Sequence, residues 1–317
     1  MTAKEEYRAL CEEESLHIPL FQQYWWMEAV CTGKRWDVLL AHDEEGIIQA
    51  ALPHLIGRKM GLRYILQPQL TQFNGIWFRH PASSPHPDRH RLQYEERWAA
   101  DIIRQLESLH VVFYQQTFSP QFNNWMPFFR AGYRQTTRYT YRLEDIGNSS
   151  QIWDGMSRNE RQRRIERLLP DTRLESLSAT DFAQFQSHCR SERNQHNLLP
   201  QQLVERVCDA ALQRGQAFCH GLRDSKGALI SALFAPYDDR CAYYLIPAVL
   251  PAYERIGAMD TLIWLTLQAA GSHCRSFDFE GSMIPGIEQY YRSFGATQTP
   301  LMRISRFSPT NAFRLPS

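Results

Sequence analysis

Residues 276–298 read SFDFEGSMIPGIEQYYRSFGATQ. The first residues alternate polar and aromatic side chains, which is the period of a strand. Phe277 and Phe279 then share one face, and Asp278 and Glu280 share the other. The rings belong in a core, and the acids face a cleft or solvent. Two carboxylates two residues apart on one face interact, which raises one pKa and suits that group to act as a general base. A strand-end acid also serves to cap the helix that follows or to accept turn N–H bonds. Gly281 and Ser282 supply a tight turn. Residues 284–294 predict a helix, and residues 297–307 predict a closing strand after Gly295.

Working outward, the same layout appears earlier in the chain. PFFRAGYRQTT at 127–137 matches QYYRSFGATQT at 289–299: two aromatics, Arg130 or Arg292, Gly132 or Gly295, then a strand with Gln and Thr. HDEEGIIQAALPHL at 42–55 matches RDSKGALISALFAP at 223–236: an acidic turn closed by Gly46 or Gly227, then a strand with an internal proline. Each half mixes hairpins with helices and returns to strand, a mixed α/β (α+β) organisation. The order points to a tandem repeat of one unit, divided at 146/147 into an N-terminal unit (1–146) and a C-terminal unit (147–317). Other expected elements include helices at 18–30, 92–109, 151–169, 181–193, 200–214 and 255–271, and strands at 35–42, 47–56, 216–223, 228–237 and 241–248. Residues 80–90, rich in Pro, Ser and His, read as an exposed loop.

Composition narrows the function classes. Over 317 residues the net charge is +1, so no global basic field argues for DNA or an anionic membrane. The seven cysteines form no CxxC pair, which fits buried thiols in a reducing compartment and neither a disulfide framework nor a zinc site. His196 and the histidines of the 80–90 loop lack metal-ligand spacing, so no metal is expected. The charged first residues do not read as a signal peptide, and no run of about 18 apolar residues predicts a membrane span. The expected location is the cytoplasm. No GxGxxG follows a strand and no GxxxxGK[ST] occurs, which argues against dinucleotide and nucleoside-triphosphate chemistry.

The order basic helix, DSKG hairpin, CAYYLIPA strand, helix at 255–271, FDFEG strand, IEQYYRSFGA helix resembles the acyltransferase superfamily with the GNAT fold. Within it the chain is most similar to the Fem-type branch, which adds aminoacyl groups to peptidoglycan precursors, and to BioF2-like acetyltransferase domains. The Fem branch commonly carries two GNAT-like units in tandem. Its mark is a (F/Y)-D-F-x-G string, met here by Phe277–Gly281, followed by an aromatic-Lys-x-x-Phe-Gly string. Tyr291-Arg292-Ser293-Phe294-Gly295 resembles the latter, with arginine for lysine and one residue fewer. The resemblance implies an acyltransferase that moves an acetyl or aminoacyl group to an amine. The donor is an acyl-CoA such as acetyl-CoA, or an aminoacyl-tRNA, and the acceptor is a small molecule or a cell-wall precursor. The [Q/R]-x-x-G-x-[G/A] loop that cradles the coenzyme A pyrophosphate is broken here at Glu254 and Met259. Only Gly257 and Ala258, with Arg255 nearby, keep the helix start that favours an anion.

Candidate site residues follow from both readings. Glu280 is the candidate base, and Tyr244 a phenol that orients a carbonyl or protonates a leaving group. Tyr243 and Tyr244 point to opposite faces of their strand, and backbone N–H groups near Tyr244–Ile246 are candidate oxyanion donors. Arg292 and Gly281 are candidates for donor contact, Ile246 for lining the acyl cleft, and Arg255, Gly257 and Ala258 for phosphate. The helix around 157–167 sets Arg158, Arg161, Arg163, Arg164 and Arg167 against Glu160 and Glu166. It is either a solvated face or a phosphate site, with Arg158 and Arg161 the individual candidates. The broken loop also fits a second reading, a catalytically silent protein of this fold that binds a ligand or partner.

Overall fold

The computed structural model describes residues 1–13, 17–80, 87–195 and 199–313. His196 and residues 81–86 of the expected loop lie outside that set. The chain forms two compact units, Met1–Arg138 with Pro300–Ser317, and Tyr139–Thr299. Where the sequence suggested one boundary at 146/147, the chain leaves the first unit inside a strand and gives its last residues back to it.

The first unit comprises α1 (Ala3–Cys11), α2 (Tyr24–Val30), β1 (Arg35–His42), β2 (Ile48–Lys59), β3 (Leu62–Leu66), β4 (Trp77–Phe78), α3 (Pro87–Ser108), β5 (Phe113–Thr117) and α4 (Met126–Arg130). β1, β2 and β3 run antiparallel in sequence order, β5 lies parallel to β3, and residues 303–307 close the sheet antiparallel to β5. Leu52, Ile65, Ile102, Phe118, Phe128 and Ile304 form its core. The single helix expected at 18–30 is instead a 3-10 turn (Leu20–Gln22) and α2, because Gln23 between them is extended. The expected loop at 80–90 ends early, since α3 starts at Pro87.

The boundary falls within β6 (Arg134–Leu143). The second unit continues with α5 (Ser149–Gly155), a π turn (Arg158–Gln162), α6 (Arg163–Leu168), β7 (Thr172–Ser176), α7 (Ala179–Glu192), α8 (Gln201–Leu212), β8 (Ala217–Asp224) and β9 (Leu229–Pro236). Next come β10 (Cys241–Tyr243), β11 (Ile246–Val249), α9 (Pro251–Glu254), α10 (Ala258–Ala270), β12 (Ser276–Asp278) and α11 (Pro285–Arg292); the last strand, β13 (Thr297–Phe307), belongs to the first unit from Pro300 on. β7, which the sequence reading missed, pairs with β8 at the edge of a four-stranded sheet ordered β11-β9-β8-β7. β12 lies between β6 and β10 in a separate sheet. α10 packs against β8, β9, β11 and α6.

The matched hairpins have the same wiring in both units. The Asp43 and Asp224 Oδ1 atoms each accept from backbone N–H groups two and four residues on, at 2.9–3.0 Å. Gly46 and Gly227 close the turns with φ of 80° and 83°. A bulge interrupts the register at Ala41/His42 in one hairpin and at Leu222/Arg223 in the other. An aspartate whose side chain caps its own turn, followed by a residue free to take positive φ, is sufficient to specify this hairpin.

The strand expected at 241–248 is two pieces. β10 runs parallel to β12, with Tyr243 opposite Asp278, whereas β11 runs antiparallel to β9 in the other sheet. The Tyr244 N–H donates to the Asp278 carbonyl at 2.8 Å, and the Leu245 N–H turns back to the Tyr243 carbonyl at 2.9 Å. Beyond that turn the two neighbouring strands belong to different sheets, so they diverge at Tyr244–Ile246 on one side and Phe279–Ser282 on the other.

Ile230, Leu233, Leu262, Phe277 and Phe279 are fully buried in the second core. Leu262→Ala is expected to cost roughly 2–5 kcal/mol of unfolding free energy in urea titrations. Ile287→Ala, at a residue 39% exposed on α11, is expected to stay within about 0.5 kcal/mol.

Candidate active site

The end of β12 brings the carboxylates together inside the unit. Asp278 is 1% exposed. Its Oδ1 accepts from the Thr140 hydroxyl and, at 2.7 Å, from the Glu280 backbone N–H. Arg142 Nε lies 3.9 Å from Asp278 Oδ2, and Arg142 Nη2 donates to Ser276 Oγ at 2.8 Å. Asp278 therefore organises the strand end and orients its neighbour. It does so by accepting a turn N–H and not by capping α11, which opens at Ile284 without a side-chain cap.

Glu280 is partly buried. Its Oε1 is sealed from solvent and has no hydrogen-bond partner among the described residues. Burial, and then the neighbouring Asp278 carboxylate, hold its carboxyl well above the usual carboxylate range. Its backbone sits at φ +64°, costly for a residue with a Cβ, and Gly281 follows at φ +66°. A Cβ on Gly281 would fall 2.1 Å from the Tyr139 carbonyl oxygen. The close approach of β6 accounts for that glycine without any donor contact.

An aromatic wall stands beside the acid. Phe279 stacks on Tyr291 with ring centroids 5.1 Å apart and 26° between planes. Tyr244 meets both rings, at 5.8 and 6.1 Å. Burial and then the Glu280 charge push the Tyr291 phenol up. Tyr244 and Tyr243 are both buried, with phenols raised first by burial. Their side chains part as expected: Tyr244 enters the aromatic core, and the Tyr243 hydroxyl lies 3.5 Å from Asp238 Oδ2. The Tyr244 and Leu245 N–H groups are already bonded within the chain, so those two expected oxyanion donors are taken. Ile246 is buried at the start of β11.

The arginine candidates divide. Arg292 sits on α11 with 63% of its side chain exposed and pairs with Glu288 at 3.1 Å. It lines an open surface hollow of about 480 Å³ with Glu160, Pro285, Gln289 and Ser293, apart from the β12 acids. Arg158 is exposed and paired with Glu166 at 2.6 Å, and Arg255 is exposed after α9. Arg161 is 6% exposed. Its Nε donates to Ser293 Oγ at 2.6 Å and its Nη1 to Asp260 Oδ2 at 3.0 Å, with its guanidinium 4.2 Å from the Tyr290 ring centre. The helix expected at 151–169 breaks at Met156–Ser157, and the π turn that follows contains Arg161.

Gly257, at φ +97°, and Ala258 open α10, as the sequence suggested. That terminus carries the chain's own anion. Asp260 is 3% exposed, and its Oδ1 also accepts from the Tyr290 hydroxyl at 2.9 Å. The sequence reading missed Asp260, Thr140, Arg142 and Tyr291 as site residues. Alternation in TYRL at 140–143, with Thr140 and Arg142 on one face, was the available signal for two of them.

Residues 150–292 match the family described as "Acetyltransferase (GNAT) domain". No curated protein sequence matches this chain. Among solved structures, FemX aligns over 99% of this chain and 98% of its own at TM-score 0.69 and 13% identity. A tandem GNAT protein from the clavulanic acid biosynthesis pathway aligns over 95% and 92% at TM-score 0.53 and 12% identity. The C-terminal domain of a putative lysylphosphatidylglycerol synthetase from Agrobacterium fabrum aligns over 98% and 94% at TM-score 0.57 and 11% identity. Residues 150–292 thus resemble a GNAT acetyltransferase domain, and the chain has the tandem GNAT fold. No helix among the described residues is long and apolar enough to cross a membrane.

A raised Glu280 pKa makes a signed prediction. The unfolded carboxyl titrates near about 4.3, and the folded one keeps its proton above that value. The stabilisation is therefore complete below about pH 4.3 and is lost as pH rises toward the folded value, by up to about 1.4 kcal/mol per unit. Urea unfolding from about pH 4.5 to 7.5 is expected to show this slope in the wild type and not in Glu280→Gln. Equal slopes would mean that Glu280 titrates as an ordinary surface acid.

Proposed function

We propose that this chain is an acyltransferase, joining an acyl group from an activated ester or thioester to an amine where β10–β11 and β12 diverge. The observation that carries the reading is Glu280, just beyond β12, whose Oε1 is sealed from solvent without a partner among the described residues and whose carboxyl pKa is raised by burial above the usual range. The amine nitrogen attacks the acyl carbon, the new C–N bond forms, and the C–O or C–S bond to the carrier breaks. The amine's proton ends on the leaving oxygen or sulfur, with Glu280 giving one proton and recovering the other. A carboxyl whose pKa is raised above the usual carboxylate range suits both halves of that exchange. Tyr244 and Tyr291 give the acyl group an apolar wall, and Asp278 holds the Glu280 backbone in place through its N–H. Aminoacyl-tRNA and acyl thioesters both present a suitable carbonyl, and the acceptor is a small-molecule or cell-wall-precursor amine.

The test is transfer itself. Purified protein is incubated with acetyl thioesters or aminoacyl-tRNA and a panel of amines, and amide products are read by mass spectrometry. Glu280→Gln is expected to lower kcat by about 10²–10⁴-fold, while Arg292→Ala is expected to leave kcat within about threefold, since that side chain stands apart from the acids. Product formation that is indifferent to Glu280→Gln would sink the assignment, as would a chain that turns over none of these donors.

A further inference from the structure

A coenzyme A thioester brings a pyrophosphate, and in this fold the N–H groups at the start of α10 are where that anion would rest. In this chain the place is filled. Asp260, the third residue of α10, puts a carboxylate there. Its Oδ2 accepts from Arg161 Nη1 at 3.0 Å and lies 3.7 Å from Arg164 Nη1, and its Oδ1 takes the Tyr290 hydroxyl at 2.9 Å. The arginine is fully committed too, through Ser293 Oγ, the Glu160 carbonyl at 3.1 Å and the Tyr290 ring. A Cβ at Gly257 would fall 2.8 Å from Arg164 Cβ, so α6 already lies against the backbone that a phosphate would have to approach. A diphosphate arriving here meets a carboxylate of its own sign and a guanidinium whose charge is already compensated. Displacing Asp260 would leave a buried charge unpaired, a penalty on the order of a thousandfold in affinity. The residues present do not fit coenzyme A.

We infer that Asp260 and Arg161 are donor-specificity residues that close this chain to coenzyme A, and that the acyl carrier is an ester or thioester bringing no pyrophosphate to α10. The inference takes from the proposed transfer reaction only the idea of a donor. Its readout is binding, so the two fail separately.

Full-length protein is titrated with coenzyme A, acetyl-CoA and inorganic pyrophosphate at about 1 mM, by thermal shift and calorimetry. The wild type is expected to shift by less than about 1 °C with each. Asp260→Asn keeps the side-chain shape and releases the Arg161 charge. It is expected to bind pyrophosphate at least about tenfold more tightly than the wild type. Saturable wild-type binding of coenzyme A below about 100 µM would overturn the inference, and so would an Asp260→Asn protein that gains nothing. Should that variant fail to fold, the wild-type titration decides alone: binding refutes closure, and its absence at about 1 mM upholds it.

Discussion

The buried pair between Arg161 and Asp260 ties together the parts of the second unit that shape its chemistry. A guanidinium and a carboxylate in a protein interior carry a desolvation cost of several kcal/mol each, which is offset only when geometry and further hydrogen bonds are good. Both conditions hold here. Arg161 reaches Asp260 on α10 and Ser293 beyond α11 while lying over Tyr290, and Asp260 takes the same tyrosine's hydroxyl. The π turn, α10 and α11 are thereby fixed to one another. Fixing α11 fixes Tyr291 and Phe294, both of which pack on Phe279. Phe279 immediately precedes Glu280, so the position of the acid depends, through α11 and Phe279, on this ion pair.

The strand end has its own constraints. Asp278 accepts from β6 through Thr140 and from the Glu280 N–H, which bends the chain directly after β12. The bend forces positive φ on Glu280 and Gly281. Only glycine fits the second position, because the Tyr139 carbonyl occupies the space a Cβ would need. The first position carries a glutamate, whose left-handed backbone costs of order 1–2 kcal/mol. A strained, partly buried carboxyl with one oxygen lacking a partner among the described residues is poor for stability, and such departures from local preference concentrate at working sites.

Local rules made much of this fold legible in the sequence. Asp43 with Gly46 and Asp224 with Gly227 announce their hairpins because the turn is closed by its own residues. Alternation placed Phe277 and Phe279 in the core, whereas Asp278, expected at a cleft or in solvent, is buried against Thr140 of β6. What could not be read depends on distant partners. CAYYLIPA is one apolar run, and nothing local says that its first three residues pair with β12 while Ile246–Val249 pair with β9. The helix expected at 151–169 breaks around the residues that carry Arg161 inward. Asp260 lies 99 residues from Arg161. Arg292 drew attention because of the motif around it, yet its side chain meets only its own helix neighbour and an open hollow.

The first unit has a comparable strand arrangement with a different buried polar residue. Its β5 runs parallel to β3 as β12 runs parallel to β10. Where the second unit buries carboxylates at that strand, the first buries Gln116, which is neutral and fully used. Its amide donates to the Pro53 carbonyl at 3.1 Å and accepts from the Tyr114 hydroxyl at 2.8 Å. A satisfied amide has no proton to exchange, and it stabilises the sheet at little desolvation cost. Glu280 differs on both counts: burial and the Asp278 carboxylate raise its pKa, and its Oε1 has no hydrogen-bond partner among the described residues. The similar layout recurs in both units, and the two differ at this strand in whether the buried polar group is an amide or a carboxyl.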